Sequence, residues 1–305
     1  MVERVDPRAL VDQVRGQKNF WVLNTDTSHH EILEYYLNSS PNNWVVVTDA
    51  LAVEVAGANN LENFKKNWAI VAKHPMQTVV ARSVGELAKI PIRQLSDLLD
   101  AKRSAEFHNF YCEVRTLQAG SALADQLEEQ IRTVRAEHAA ESIGNVALAR
   151  SHMEAHERSL NPHDAKELRA LRPIRAGATE MIIQSIIDYA KLCSDNIPGA
   201  FAPKGWGESL TSFLMAYSTC LHACYHLRMR SGSTPNLADK YFAADLHDCV
   251  FNAYALFAGG LIADDQLQID SLISATKWRI LLGHLAKGGS LPKKWPPTRG
   301  GKSTS

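Results

Sequence analysis

Strand-like segments stand near both ends of this 305-residue chain and are missing from its middle. Residues 18–26 (Lys-Asn-Phe-Trp-Val-Leu-Asn-Thr-Asp), Trp44–Val47 and Thr78–Arg82 are short apolar runs with polar ends. Leu261–Ala263 returns to that pattern after Gly259-Gly260. From about residue 85 to 235 no comparable run occurs. There the apolar residues fall at helical spacing instead, as in Leu123, Leu127, Ile131 and Val134. Trp44–Val47 is too apolar for an exposed edge and suits an interior strand of a parallel sheet. Helices are expected between the early strands. One starts near Ser28, which has capping-box spacing to Glu31; a second spans Ala50–Ala56 behind Thr48 or Asp49; a third spans Leu61–Lys73. Met181–Ala190 and Leu210–Leu227 predict helices in the middle. Alternating strands and helices define the α/β class. The expected architecture is a mainly parallel sheet carried by residues 1–99 and 236–287. An all-helical insertion over 100–235 interrupts it, and a basic, disordered tail rich in Gly, Pro, Lys and Ser follows over 288–305.

Composition removes several function classes. Lys and Arg total 33 and Asp and Glu total 33, so no global field recruits nucleic acid. The stretch 101–175 is balanced too, with 11 residues of each sign, and reads as solvated helix faces. Only the C-terminal end is one-sided: after Asp270 there are seven basic residues and no acid, which would add non-specific phosphate affinity or solubility. No run of about 18 apolar residues predicts a membrane span. The first twenty residues lack the apolar core of a secretory signal, and the five cysteines have no disulfide-like spacing. A reducing cytoplasm is expected. There is no glycine-rich phosphate loop of the P-loop or dinucleotide type.

The chemistry-bearing residues are acids at the ends of predicted elements. Asp245 and Asp248 are three apart on one predicted helix and share a face, which Asn252 extends. Asp264 and Asp265 follow the last strand, where residues of open α/β sheets project over the carboxyl edge. Asn24 and Asp26 end the first strand on one face. Glu54 is a lone acid among apolar residues, and burying it needs a partner or a metal. Taken singly, each acid reads as well as a helix cap or solvated surface residue as it does as a ligand. Cys220-x3-Cys224 and His222-x3-His226 interleave on one predicted helix, with the two pairs about 200° apart at ~100° per residue. They cannot share one ion on that helix, and core cysteines are the favoured reading. His29-His30, near the first strand, reads as surface or phosphate-contacting.

Together these pieces resemble the PIN-domain family of metal-dependent ribonucleases. The resemblance rests on the Asn24-Thr25-Asp26 strand end and on Thr48 followed six residues later by Glu54. It also rests on the run Asp248, Ala255-Leu256, Gly259-Gly260, Leu261-Ile262 and Ala263-Asp264-Asp265. It covers roughly residues 18–84 and 237–287. It implies an RNA-cleaving hydrolase in which Asp26, Glu54, Asp248 and Asp265 hold Mg²⁺ or Mn²⁺, with Asp245 and Asp264 as supporting or alternate ligands. The chain departs from the family at Asn24, where the first acid is expected, and at Ala263, where Thr or Ser is expected. Asn24 supports an alternative: a catalytically weak scaffold that binds a protein partner through its helical insertion.

Overall fold

The computed structural model describes residues 19–24, 30–56, 61–116, 121–169, 172–230, 239–263 and 265–296. The chain begins with β1 (Asn19–Leu23), α1 (His30–Ser39), β2 (Asn43–Val47), α2 (Asp49–Ala56), α3 (Leu61–Lys73) and β3 (Thr78–Val80). Two single turns follow, α4 (Val84–Leu87) and α5 (Leu95–Leu98), then α6 (Ala101–Thr116) and the long α7 (Ala122–Ser159). The remainder is α8 (Pro162–Arg169), β4 (Ile174–Arg175), α9 (Ala176–Asp195), α10 (Trp206–Ser209), α11 (Phe213–Arg230) and α12 (Asp239–Ala258). It closes with β5 (Leu261–Ile262), α13 (Gln266–Ala286) and β6 (Lys294–Trp295). The fold is α/β, mostly helical, with a four-stranded sheet ordered β3-β2-β1-β5 and parallel throughout. The four expected strands are therefore present in one sheet.

The chain divides into two compact units, each assembled from separated stretches. The first comprises Met1–Leu87, Ile92–Ile143 and Ala253–Asp265; the second comprises Ala88–Pro91, Gly144–Asn252 and Gln266–Ser305. These breaks fall away from the expected boundaries at 99/100 and 235/236. The reason near the first boundary is visible: Ser104 on α6 donates to Asp100 O at 2.6 Å and accepts from the Val80 amide at 2.9 Å, which ties α6 to the edge strand β3.

In the first unit β2 is buried along its whole length, as its run of apolar residues demands. Phe20, Val22 and Leu23 of β1 join it, with Leu33 and Leu37 of α1, Leu51 and Val55 of α2, and Trp68 and Val71 of α3. Each such side chain contributes about 1.5–3 kcal/mol relative to exposure. The turn between α1 and β2 is locked by Gln77, whose side-chain amide donates to Leu37 O, Ser40 O and Asn43 O at 3.0, 2.9 and 2.8 Å. In the second unit a continuous core joins Ile182, Ile183 and Ile186 of α9 to Leu214 and Met215 of α11 and Trp278, Leu281 and Leu282 of α13.

Among the described residues of 100–235 the one strand is the two-residue β4, and helices make up the rest of the regular structure. One expectation fails in the second unit. Residues 288–296 are not a disordered tail: Lys294–Trp295 pairs antiparallel with Ile174–Arg175, and the Trp295 ring stands 6.2 Å from that of Trp278. A two-residue strand leaves no periodic trace, and a Pro- and Lys-rich segment becomes ordered here because one aromatic residue finds an apolar seat. Residues 297–305 lie outside the described residues.

Candidate functional site

In the first unit, strand order turns at β1. The chain passes from β1 to β2 to β3 on one side, while β5 docks on the other. In open parallel sheets, ligands bind outside the carboxyl ends of the strands at such a point. Two backbone hydrogen bonds set the register, Val22 N–H to Gly260 O at 2.9 Å and Asn24 N–H to Ile262 O at 3.1 Å. The glycine pair between α12 and β5 makes that docking possible. Gly259 sits at φ +116°, a conformation L side chains rarely adopt, and a Cβ on Gly260 would lie 2.9 Å from the Trp21 indole. Tyr254, near the end of α12, anchors the approach. Its hydroxyl lies 2.7 Å from Arg82 O and 2.9 Å from Asp49 Oδ1, sharing its one proton between two acceptors. Burial first, and the Asp49 charge second, raise that hydroxyl well above the usual phenol value. The other Asp49 oxygen accepts from Val84 N–H at 3.0 Å, so Asp49 is a clamp between β2, the segment after β3 and α12. Thr48, not Asp49, caps α2 in the usual way, accepting from Leu51 N–H at 3.1 Å.

The predicted acids are placed as follows. Glu54 is half-buried on α2 and Asp265 is exposed immediately before α13, both in the first unit. Asp248 is half-buried on the part of α12 that belongs to the second unit. Asp245 is buried, and both its oxygens accept from Arg228, at 2.9 and 2.5 Å. Asp26 and Asp264 lie outside the described residues, as does His29. Asn24, just after β1, is thus brought beside Ile262, the last residue of β5 and three positions before Asp265. Among the described residues no three His, Cys, Asp or Glu side chains already aim their donors at one point.

The second unit holds a polar cluster that was not expected. His152 and His156, four apart on α7, face His222 and His226, four apart on α11. His222 Nδ1 is 2.8 Å from Ser218 O, an acceptor, so the proton sits on Nδ1. Its Nε2 lone pair then receives the Ser185 hydroxyl at 2.9 Å. His152 Nε2 donates toward Ser185 at 3.1 Å. His156 Nε2 and His226 Nε2 are 3.1 Å apart with one proton between them, and His156 Nδ1 has no partner although the residue is buried. Burial lowers all four imidazole pKa values. His156 falls to about 4, with His152 adding to the effect, and His226 falls to about 3, with His156 adding. The four rings are therefore neutral at pH 7. The signal for this cluster was present in the sequence as a second His-x3-His, in His152–His156, but its pairing with His222–His226 is a tertiary fact. Cys220, Cys224 and Cys249 are buried free thiols, as core cysteines should be.

Among the described residues no helix is long and apolar enough to cross a membrane. Comparison of the chain with family models, with curated proteins and with solved structures returns no match.

Proposed function

We propose that the unit built on the four-stranded sheet is a PIN-like, metal-dependent endoribonuclease. The observation that carries this reading is the pairing of Asn24 with Ile262 at the point where strand order turns. The chain leaving each of these residues meets acids within three positions, Asp26 after β1 and Asp264-Asp265 after β5. Glu54 is carried by the helix that follows the neighbouring strand β2. Asp26, Glu54 and Asp265 are the proposed ligands at the sheet edge of the first unit. Asp264 is the alternate. Asp245 is spoken for by Arg228 and serves the packing of α11 on α12. The donor set is all carboxylate, which suits Mg²⁺ or Mn²⁺ and not a soft metal. When bound, either ion would lower the pKa of water and offset charge on a scissile phosphate. In this reading the chain's own part would be to present the carboxylates from the segments that follow β1 and β5 and from the helix after β2.

The test is cleavage of single-stranded RNA by purified protein with Mn²⁺ or Mg²⁺, stopped by a chelator. Glu54→Gln and Asp265→Asn should each lower the rate by about 100-fold or more, since each removes ligand charge at nearly constant shape. Unchanged cleavage in both variants sinks the reading.

A second reading is favoured by one observation: an amide, Asn24, ends β1 where the resemblance calls for an acid. In that case the unit is a catalytically weak scaffold that binds a protein partner. Wild-type protein would then neither bind Mn²⁺ nor cut RNA, and Asn24→Asp would create metal binding.

A further inference from the structure

We propose that the four-histidine cluster of the second unit is a binding site for one borderline divalent cation of the Zn²⁺ class, held by His156, His226 and His222. The site is separate in residues and in ligand chemistry from the carboxylate site proposed above, and does not depend on it.

The argument is geometric. Imidazole nitrogens bind such ions at about 2.0–2.1 Å, so two of them on a tetrahedral ion stand about 3.3–3.4 Å apart. His156 Nε2 and His226 Nε2 are 3.1 Å apart. With the ring centre about 1.1 Å behind its donor nitrogen, the centres of tetrahedral imidazole ligands lie about 5.2 Å apart. The observed centre separations are 5.2 Å for His156–His222, 5.4 Å for His156–His226 and 6.3 Å for His222–His226. The His156 and His222 centres stand at ligand spacing, whereas the 3.1 Å and 5.4 Å separations of His156 and His226 are those of a head-on hydrogen-bonded pair, so these two rings must tilt toward a common point and His222 must close by about 1 Å on His226 for an ion to be held.

The surroundings fit the same role. His222 donates its Nδ1 proton to Ser218 O, which fixes Nε2 as the lone-pair nitrogen, as partners of metal-bound histidines do. That lone pair is engaged by a serine hydroxyl, which can rotate away. In the resting arrangement three donors do not converge on one point; binding requires that hydroxyl to turn away and the His156–His226 pair to open. The unpartnered Nδ1 of buried His156 shows that the hydrogen bonds of the cluster do not satisfy it on their own. His226 also lines a cavity of about 220 Å³ with Ser274, Asp270 and Lys277, so a fourth ligand can arrive from outside.

The experiment uses the full chain, stripped with a chelator and titrated with Co²⁺ as a spectroscopic stand-in for Zn²⁺. The expected result is one equivalent with the intense visible absorption of tetrahedral Co²⁺, whatever the carboxylate site takes up, displaced by Zn²⁺ and not by Mg²⁺. His156→Gln and His226→Gln should lose it. His163→Gln, an exposed histidine outside the cluster, and Glu54→Gln, at the carboxylate site, should keep it. Because losing a buried imidazole can unfold the unit, wild-type protein carries a second readout. In the nitrogen spectrum of its histidine rings, one equivalent of Zn²⁺ should move the Nε2 signals of His156 and His226. Absence of stoichiometric uptake by wild type, uptake that survives both cluster variants, or ring signals that do not move overturns the proposal.

Discussion

Asp245 and Asp248 show how little a residue's own identity decides. They stand three apart on one helix, yet Asp245 is buried against a guanidinium and Asp248 is half-exposed. Spacing placed both on one face; only the location of Arg228, on another helix, separates their roles. The four histidines make the same point with a measurable consequence. An unfolded histidine titrates near 6.5, whereas His156 and His226 are held to about 4 and about 3. Between those values and 6.5 the unfolded chain binds more protons than the folded one, so stability rises with pH across that window. The contribution is whole above pH 6.5 and is lost as pH falls toward 4 and then 3. The slope is at most about 1.4 kcal/mol per pH unit for each ring. Denaturant titrations of chelator-treated protein at pH 7.5, 6, 5 and 4 should show this decline. The double variant His156→Gln/His226→Gln should show a flatter one, starting from lower stability at pH 7.5. Equal slopes would mean that the rings are not held neutral.

At the scale of elements, the sheet was legible because its inner strand β2 is buried on both faces and writes itself as the unbroken apolar run Trp44–Val47, and the other strands are short apolar runs with polar ends. Helix α2 was legible for a complementary reason, a cap at Thr48 followed by a run of apolar residues. What escaped has equally physical causes. Strand β4 is too short to carry a period, and β6 hides in a segment of flexible composition. The order of strands, and so the point where acids gather, follows from which strand docks on β1. The Gly259-Gly260 turn was readable as a turn, but not why both glycines are required. Gly259→Ala tests this, because the new Cβ meets nothing closer than 3.8 Å and the only penalty is backbone strain. It should cost about 1–3 kcal/mol in urea unfolding, through loosening of β5. A loss below about 0.5 kcal/mol would mean that the turn is not strained. The candidate site was legible only in part: the acids could be listed from their positions at element ends, whereas the His152–His156 partner to His222–His226 could not, since nothing local links residues seventy apart.

At the scale of the whole molecule, neither unit is a continuous stretch of chain. Helices α7 and α12 each begin in one unit and end in the other. No single cut divides the protein into its two parts. A chain ending at Arg230 keeps β1, β2 and β3 but lacks the strand that accepts hydrogen bonds from Val22 and Asn24. It should express largely in aggregated form, because an unpaired, apolar inner strand becomes an edge; a soluble monomer on size-exclusion chromatography would contradict this. The same arrangement sets a timetable for the ribosome. Roughly 240 residues separate Leu23 from Ile262, and at about 5–20 residues per second the first strand waits on the order of ten to fifty seconds for its neighbour to be made. During that interval the nascent protein presents an unpaired strand edge, which makes the speed of translation and the chaperones at the exit tunnel determinants of how much of it reaches the native state.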